Sequence, residues 1–210
     1  MLTCTCPAAT ALTAITAVTC PENFGQIQKI AFQRLTDGGT KNSFTSTAAI
    51  TLKASWTAAK AKTDGTKIVI SPYINNPQAE AGAARSVGGG NEGLGGVETI
   101  IGSEPTTFTA QFNGIPQATI VDLKKLMCEA VVNNLGVYLF NEAGQIGCLQ
   151  DAETATTYYP IPIQSLFVGD KVFGNFENVD TNALSFSLPP NWSDHFAVAV
   201  PTDFNPLTDL

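Results

Sequence analysis

The spacing of apolar and polar residues along this 210-residue chain changes period several times. Between residues 24 and 35, Ile27, Lys29, Ala31 and Gln33 alternate with Gln28, Ile30 and Phe32, a partly two-faced pattern that predicts a strand. Asp37-Gly38-Gly39 then supplies turn residues that tolerate left-handed backbone. Over 51–62 the period becomes helical. Leu52, Trp56, Ala58 and Ala59 share one side, the alanine content favours a helix, and Asp64-Gly65 stops it. Residues 67–71 predict the next strand, ended by Pro72.

Residues 75–103 carry Gly82, Gly88, Gly89, Gly90, Gly93, Gly95, Gly96 and Gly102, with almost no large apolar residue before Val97. Loops of that length inside a domain are uncommon and usually functional, so the stretch is expected to be an extended loop or loose hairpin leaving the body. Residues 97–101 and 106–112 predict strands on either side of Gly102-Ser103-Glu104-Pro105. Pro116 opens the clearest helix, about 116–134. Ile120, Leu123, Met127 and Val131 line one face, and Asp122, Lys124, Lys125 and Glu129 the other. Residues 137–140 and 145–150 flank Asn141-Glu142-Ala143-Gly144 as a hairpin. Residues 158–168 are strand-like, although Pro160 and Pro162 exclude them from the middle of a sheet. Residues 184–188 and 196–200 supply the last strands.

The expected fold is α+β and mainly β: an antiparallel β-sandwich or partial barrel with one flanking helix. The whole chain, 1–210, reads as a single structural domain with an N-terminal arm at 1–22, whose Thr-Ala pairs fit strand or helix, and the Gly-rich loop at 75–103.

Composition narrows the function. Charged residues make up 14% of the chain, against about 25% in an ordinary soluble domain. Thr, Ala, Gly, Asn and Ser take their place, which suits a subunit whose surface is covered by neighbours, since interface cores are depleted in charge. The net charge of −7 argues against a surface that grips nucleic acid, which needs Lys and Arg to neutralise phosphate. It is compatible with one that nucleic acid slides past. The five cysteines, Cys4, Cys6, Cys20, Cys128 and Cys148, are odd in number and irregular in spacing, so a disulfide framework would leave one over. Cys128 on a helix face and Cys148 in a strand fit buried reduced thiols and a reducing compartment. No export signal and no apolar run of membrane-spanning length is recognisable.

Little acid–base chemistry is on offer. Residues 88–93 match G-x-G-x-x-G, but the motif needs a helix to follow so that phosphate meets its N-terminus, and Gly95 and Gly96 follow instead. Ser193-Asp194-His195 names a serine triad, yet three consecutive residues cannot point at one another in relay order. Carboxylate pairs among the acids, such as a hydrolase would need, are not decided by spacing. A zinc site is disfavoured by a single histidine and the absence of C-x-x-C. No catalytic residue, cofactor or metal is expected.

Four stretches carry a resemblance. They are Ser55-Trp56 with the following Asp64-Gly65-Thr66-Lys67-Ile68 and Ser71-Pro72; Ile101-Gly102-Ser103-Glu104-Pro105-Thr106-Thr107-Phe108; Phe167-Val168-Gly169-Asp170-Lys171; and Leu188-Pro189-Pro190-Asn191-Trp192-Ser193-Asp194. Through them, residues 21–210 resemble virion structural proteins of tailed phages and prophages of gut Bacteroides-type bacteria. By fold-level analogy the chain is similar to a tail tube (major tail) subunit. The resemblance implies a self-assembling virion protein made in the host bacterial cytoplasm, forming hexameric rings with itself, contacting other virion proteins and passing DNA without specific binding or membrane contact. Inter-subunit contacts would then fall on Arg85, Gly88, Gly89, Gly90, Asn91 and Gly93, and the lumen-facing acids would be Glu98, Glu104, Asp151 and Glu153. A head decoration, connector, tail terminator or minor tail protein fits the same likeness. A carbohydrate-binding module stacking sugars on Trp192, Tyr158 and Tyr159 is the alternative of another class.

Overall fold

A computed structural model of the chain describes residues 14–18, 23–91 and 94–210. In chain order the elements are β1 (Ile27–Arg34), β2 (Thr36–Asp37), β3 (Thr40–Lys41), α1 (Thr47–Thr51), α2 (Lys53–Ala61), β4 (Ile68–Ile70), β5 (Asn75–Glu80), β6 (Ala84–Gly88), β7 (Glu98–Ser103), β8 (Thr106–Asn113), α3 (Gln117–Val131), β9 (Leu135–Asn141), β10 (Ile146–Gln150), β11 (Tyr158–Tyr159), β12 (Ile161–Pro162), β13 (Gln164–Val172), β14 (Thr181–Leu188), β15 (Phe196–Ala199) and α4 (Pro206–Asp209). They divide between two compact units: Phe24–Ala81 with Pro105–Leu210, and Met1–Asn23 with Gly82–Glu104. The chain is mainly β, with antiparallel sheets and a minority of helix, as its periodicity predicts.

The larger unit holds a seven-stranded sheet in the order β11-β10-β9-β1-β4, where β12 also pairs with β9 and β15 with β10. It also holds a four-stranded sheet in the order β13-β14-β8-β5. Strand β1 lies beside β9 with Ile30 opposite Leu139, Ala31 opposite Tyr138 and Phe32 opposite Val137. Side chains alternate across a strand, so this pair feeds two cores. Ile30, Phe32, Val137 and Leu139 join a cluster with Phe108 and Phe112 of β8, Leu184 and Phe186 of β14, Leu166 and Val168 of β13, and Ile120 and Leu123 of α3. Phe108 and Phe186 face each other across β8 and β14 and stack at 4.6 Å between centroids.

On the opposite face, Ala31, Tyr138 and Phe140 join Phe44, Ile50, Ile68, Ile146, Cys148 and Leu207 around Trp56. The Trp56 ring lies 4.8 Å from Phe44, 5.2 Å from Tyr138 and 5.4 Å from Phe140. Its Nε1–H donates to Ile50 O at 2.8 Å, so the one polar atom of this fully buried side chain is satisfied.

Three expectations change in detail. The helix expected over 51–62 is α2, and a short helix α1 precedes it; the two are separated at Leu52, whose backbone is extended and whose side chain is exposed rather than packed. The cause is distant in sequence. Thr51 O accepts from Thr202 N at 3.1 Å and Lys53 N donates to Asp203 Oδ1 at 2.8 Å, so bonds to the 202–203 segment replace helical ones at the break. The strand-like stretch 158–168 is three strands, because it crosses between sheets: β11 and β12 belong to the large sheet and β13 to the other. Proline cannot donate to a ladder; Pro160 separates β11 from β12 within the large sheet, and the chain crosses to the other sheet between Pro162 and Gln164. A Cβ on Gly136, the partner of Pro162, would lie 2.7 Å from Leu35 Cδ2 and 2.9 Å from Pro160 Cβ, so only glycine admits this approach. Finally, 75–103 is not one loop. Residues 75–80 are strand β5 on β8, and 84–103 form a hairpin of β6 and β7 in the smaller unit.

Trp56→Ala should lower the free energy of unfolding by about 3–5 kcal/mol, the range for truncating a large core aromatic. Urea titration followed by far-UV circular dichroism measures it; a loss below about 1 kcal/mol would remove Trp56 from the centre of the second core.

Candidate assembly surfaces

The β6–β7 hairpin pairs Ala84 with Ser103, Arg85 with Gly102, Ser86 with Ile100, Val87 with Thr99 and Gly88 with Glu98, with a register shift between Arg85 and Ser86. Gly88, Gly89 and Gly90 turn the chain with φ of 85°, 98° and 54°, which is left-handed backbone open to glycine at little cost. Val87, Val97, Ile100 and Ile101 are all exposed. Of the expected contact residues, Arg85 is exposed on β6, Gly88 closes that strand, Gly89, Gly90 and Asn91 lie in the turn, and Gly93 lies outside the described residues.

The four acids fall into two local pairs in different units. Glu98 is exposed on β7 and accepts from Ser86 Oγ. Glu104 is exposed just after β7, and its N–H donates to Ala83 O at 2.8 Å. Asp151 organises the turn between β10 and β11. Its Oδ1 accepts from Glu153 N at 2.8 Å and Thr154 N at 3.1 Å, and its Oδ2 accepts from Tyr159 Oη at 3.0 Å. The backbone donors of Thr154 and Glu153, then the Tyr159 hydroxyl, hold the Asp151 carboxyl below its ordinary range. Glu153 is exposed beside it.

A further surface went unread in the sequence. The loop joining β13 to β14 exposes Phe173, Phe176 and Val179, with Val172 exposed at the end of β13. The loop is braced from within. Asn175 Oδ1 accepts from Glu177 N at 2.9 Å and Asn178 N at 3.0 Å, and Gly174 N donates to Asp180 Oδ1 at 2.9 Å. The available signal was Phe-Gly-Asn-Phe-Glu-Asn: two phenylalanines among turn formers, where no strand can bury them.

Elsewhere in the larger unit, Leu35, Thr36, Lys41, Asn42, Leu149, Tyr159, Pro160 and Pro162 line a cleft of about 320 Å³. Lys41 Nζ stands 5.5 Å from the centroid of the Tyr159 ring, within cation–π range. A second cleft, of about 350 Å³, is mixed in character: Arg34, Asp64, Lys67 and Glu129 line it together with Phe32, Val69, Leu126 and Leu135. There Arg34 forks onto Glu129, with Nε to Oε2 at 2.9 Å, tying β1 to α3. Hydrogen bonding to Arg34 lowers the Glu129 carboxyl from its usual value.

The aromatic trio does not form one exposed platform. Tyr158 is buried in the second core. Trp192 packs edge-on against Phe196 and donates from Nε1 to Thr106 Oγ1 at 3.2 Å. Tyr159 is half-buried at the cleft. Ser193, Asp194 and His195 lie in the turn before β15, where His195 O accepts from Gln150 N at 2.9 Å and Ser193 O from Phe196 N at 3.1 Å. Among the described residues no group of three or more His, Cys, Asp or Glu side chains converges, and no helix is long and apolar enough to cross a membrane. Compared with known proteins, the chain matches no protein-family model and no curated protein sequence.

The two described cysteines differ. Cys148 is buried, its Sγ 3.5 Å from Ala197 O, and burial raises its pKa to about 12. Cys128 is exposed on α3, contrary to the buried thiol expected there. Iodoacetamide at pH 8 should label Cys128 in the native protein and Cys148 only after unfolding, because the thiolate is the nucleophile. Peptide mapping reads the difference, and equal native labelling of both would contradict it. The Asp151 carboxyl, lowered on folding, stabilises above its unfolded pKa, and that stability is lost as pH falls through the folded value. Asp151→Asn should therefore flatten the acid limb of a melting-temperature–pH curve below about pH 4, the ordinary aspartate value; an unchanged acid limb would show that the turn does not depend on the carboxylate.

Proposed function

We propose that this chain is a self-assembling structural subunit of a tailed-phage virion, most specifically a tail tube protein whose stacked rings enclose a DNA passage. The observation that carries the reading is the set of large apolar side chains exposed among the described residues: Val87, Val97, Ile100 and Ile101 on the hairpin, and Phe173 and Phe176 on the β13–β14 loop. Single exposed apolar residues are ordinary, whereas grouped ones mark interaction sites. A two-stranded sheet is the smallest kind, and a neighbouring subunit that adds a strand or an apolar face to β6–β7 would stabilise it. The low charge fraction agrees with a surface covered by copies.

In this reading the hairpin from Ala84 to Ser103 reaches an adjacent subunit. The acids keep the passage from binding DNA. A net −7 per chain repeated six times gives roughly −40 around a ring, and DNA is itself a dense line of negative charge. Glu98, Glu104, Asp151 and Glu153 are the candidate contributors. Other virion components that assemble by the same surfaces are the nearest alternative.

Sedimentation velocity at roughly tens of micromolar, a range in which weak interfaces close, should show species well above the 22.1 kDa chain, and negative-stain micrographs should show rings or tubes. A clean monomer that forms no filaments on ageing would sink the reading. Trypsin should cut at Arg85 in the dissociated subunit and spare it in the assembly; equal rates in both states would remove the hairpin from the interface. Duplex DNA at low salt should show no micromolar gel-shift.

A further inference from the structure

The larger unit carries an aromatic projection and an apolar cleft at opposite ends of one helix. The β13–β14 loop sits by the start of α3: Gly114 N, three residues before the helix begins, donates to Asp180 O at 2.7 Å. The cleft lies past the other end of α3. Asn134 Oδ1 accepts from Thr36 N at 2.9 Å, Leu35 N donates to Asn134 O at 3.2 Å, and both Leu35 and Thr36 line the cleft. Fifteen helical residues at 1.5 Å each separate them by roughly 22 Å. Phe176 is fully exposed, so its ring is free to reach a neighbouring molecule.

Shape and charge both match. The loop's internal hydrogen bonds hold the projection in place before binding, which reduces the ordering cost of association. The cleft is lined mainly by apolar surface from Leu35, Leu149, Tyr159, Pro160 and Pro162. Its volume of about 320 Å³ exceeds the about 150 Å³ that suffices for a benzene ring in an apolar cavity. Tyr159 offers a ring for edge-to-face contact. Lys41 at the rim has no carboxylate partner among the described residues, and neither does the Glu177 carboxylate next to Phe176 have a cation.

We propose that the 173–180 loop of one copy docks into this cleft of a second copy, with Phe176 entering among Leu35, Leu149, Tyr159 and Pro162 while Glu177 meets Lys41. The contact is head-to-tail, because projection and cleft are different surfaces of the same chain. Heterologous contacts of this kind propagate, closing into rings or running into filaments according to the rotation per step. The contact rests on the self-assembly reading and names the surfaces it uses.

The test is sedimentation velocity on the full chain and on Phe176→Ser, Lys41→Glu, Glu177→Lys and the Lys41→Glu/Glu177→Lys double variant. Far-UV circular dichroism verifies folding; Phe176, Lys41 and Glu177 are exposed, so the cores are untouched. Phe176→Ser and each single charge reversal should weaken association about tenfold or more, as loss of an interface aromatic or buried charge partner does. The double reversal should restore it. An equimolar mixture of Phe176→Ser and Lys41→Glu should associate where neither does alone, since one retains the cleft and the other the loop. Wild-type assembly that persists in Phe176→Ser, or a double reversal no better than the singles, overturns this contact and leaves the self-assembly reading standing. A wild-type chain that never associates overturns both.

Discussion

Strands β1 and β9 bury both of their faces, and the rest of the larger unit is arranged around that requirement. A strand with two buried faces needs apolar side chains in both directions, and Leu-Gly-Val-Tyr-Leu-Phe in β9 provides them. One face is covered by the four-stranded sheet and α3, the other by α1, α2 and α4. Dispersion and the hydrophobic effect reward this only where packing is dense, so the ring cluster around Trp56 and the stacked Phe108 and Phe186 sit on opposite sides of the same pair. Gly136 permits it, because its missing Cβ is the space through which Leu35 and Pro160 approach β9.

Several buried polar groups are matched by specific bonds. Asn42 Nδ2 donates to Arg34 O and Gly65 O, both at 2.9 Å, fastening the chain between β1 and β4. Ser71 Oγ accepts from Ile30 N at 3.0 Å where the β4 ladder ends. Tyr138 Oη donates to Gln33 Oε1 at 3.2 Å inside the second core, where burial holds the phenol protonated far above its usual range. The final segment is fastened in the same way: Lys29 Nζ donates to Leu207 O at 2.6 Å, Tyr73 Oη to the same oxygen at 2.7 Å, and Lys60 Nζ to Leu210 O at 2.7 Å. Residues 202–210 thus complete the second core.

With both cores closed, the apolar side chains left outside acquire meaning. The β13–β14 loop of the larger unit exposes Phe173, Phe176 and Val179, and the hairpin of the smaller unit exposes Val87, Ile100 and Ile101. The sheet edges point elsewhere. Strand β5 carries Pro77, a left-handed Asn76 and a register break between Asn75 and Gln78, features that discourage indiscriminate strand pairing.

Periodicity alone determined the mainly β class, the helix over α3, the hairpin of β9 and β10 and the turn at Asp37-Gly38-Gly39, because those signals are local: alternation, an amphipathic stripe and turn chemistry act within a few residues. Only the tertiary structure decided where the long-range bonds fall. The break at Leu52 depends on Thr202 and Asp203, about 150 positions away; Asn75–Glu80 became a strand because β8 offered it an edge; and 158–172 split because the chain passes from one sheet to the other. The exposure of Phe176 and the cleft at Lys41 belong to the same group. Whether an aromatic residue lies inside or outside depends on what packs over it, which is settled by strand order and not by its neighbours in sequence.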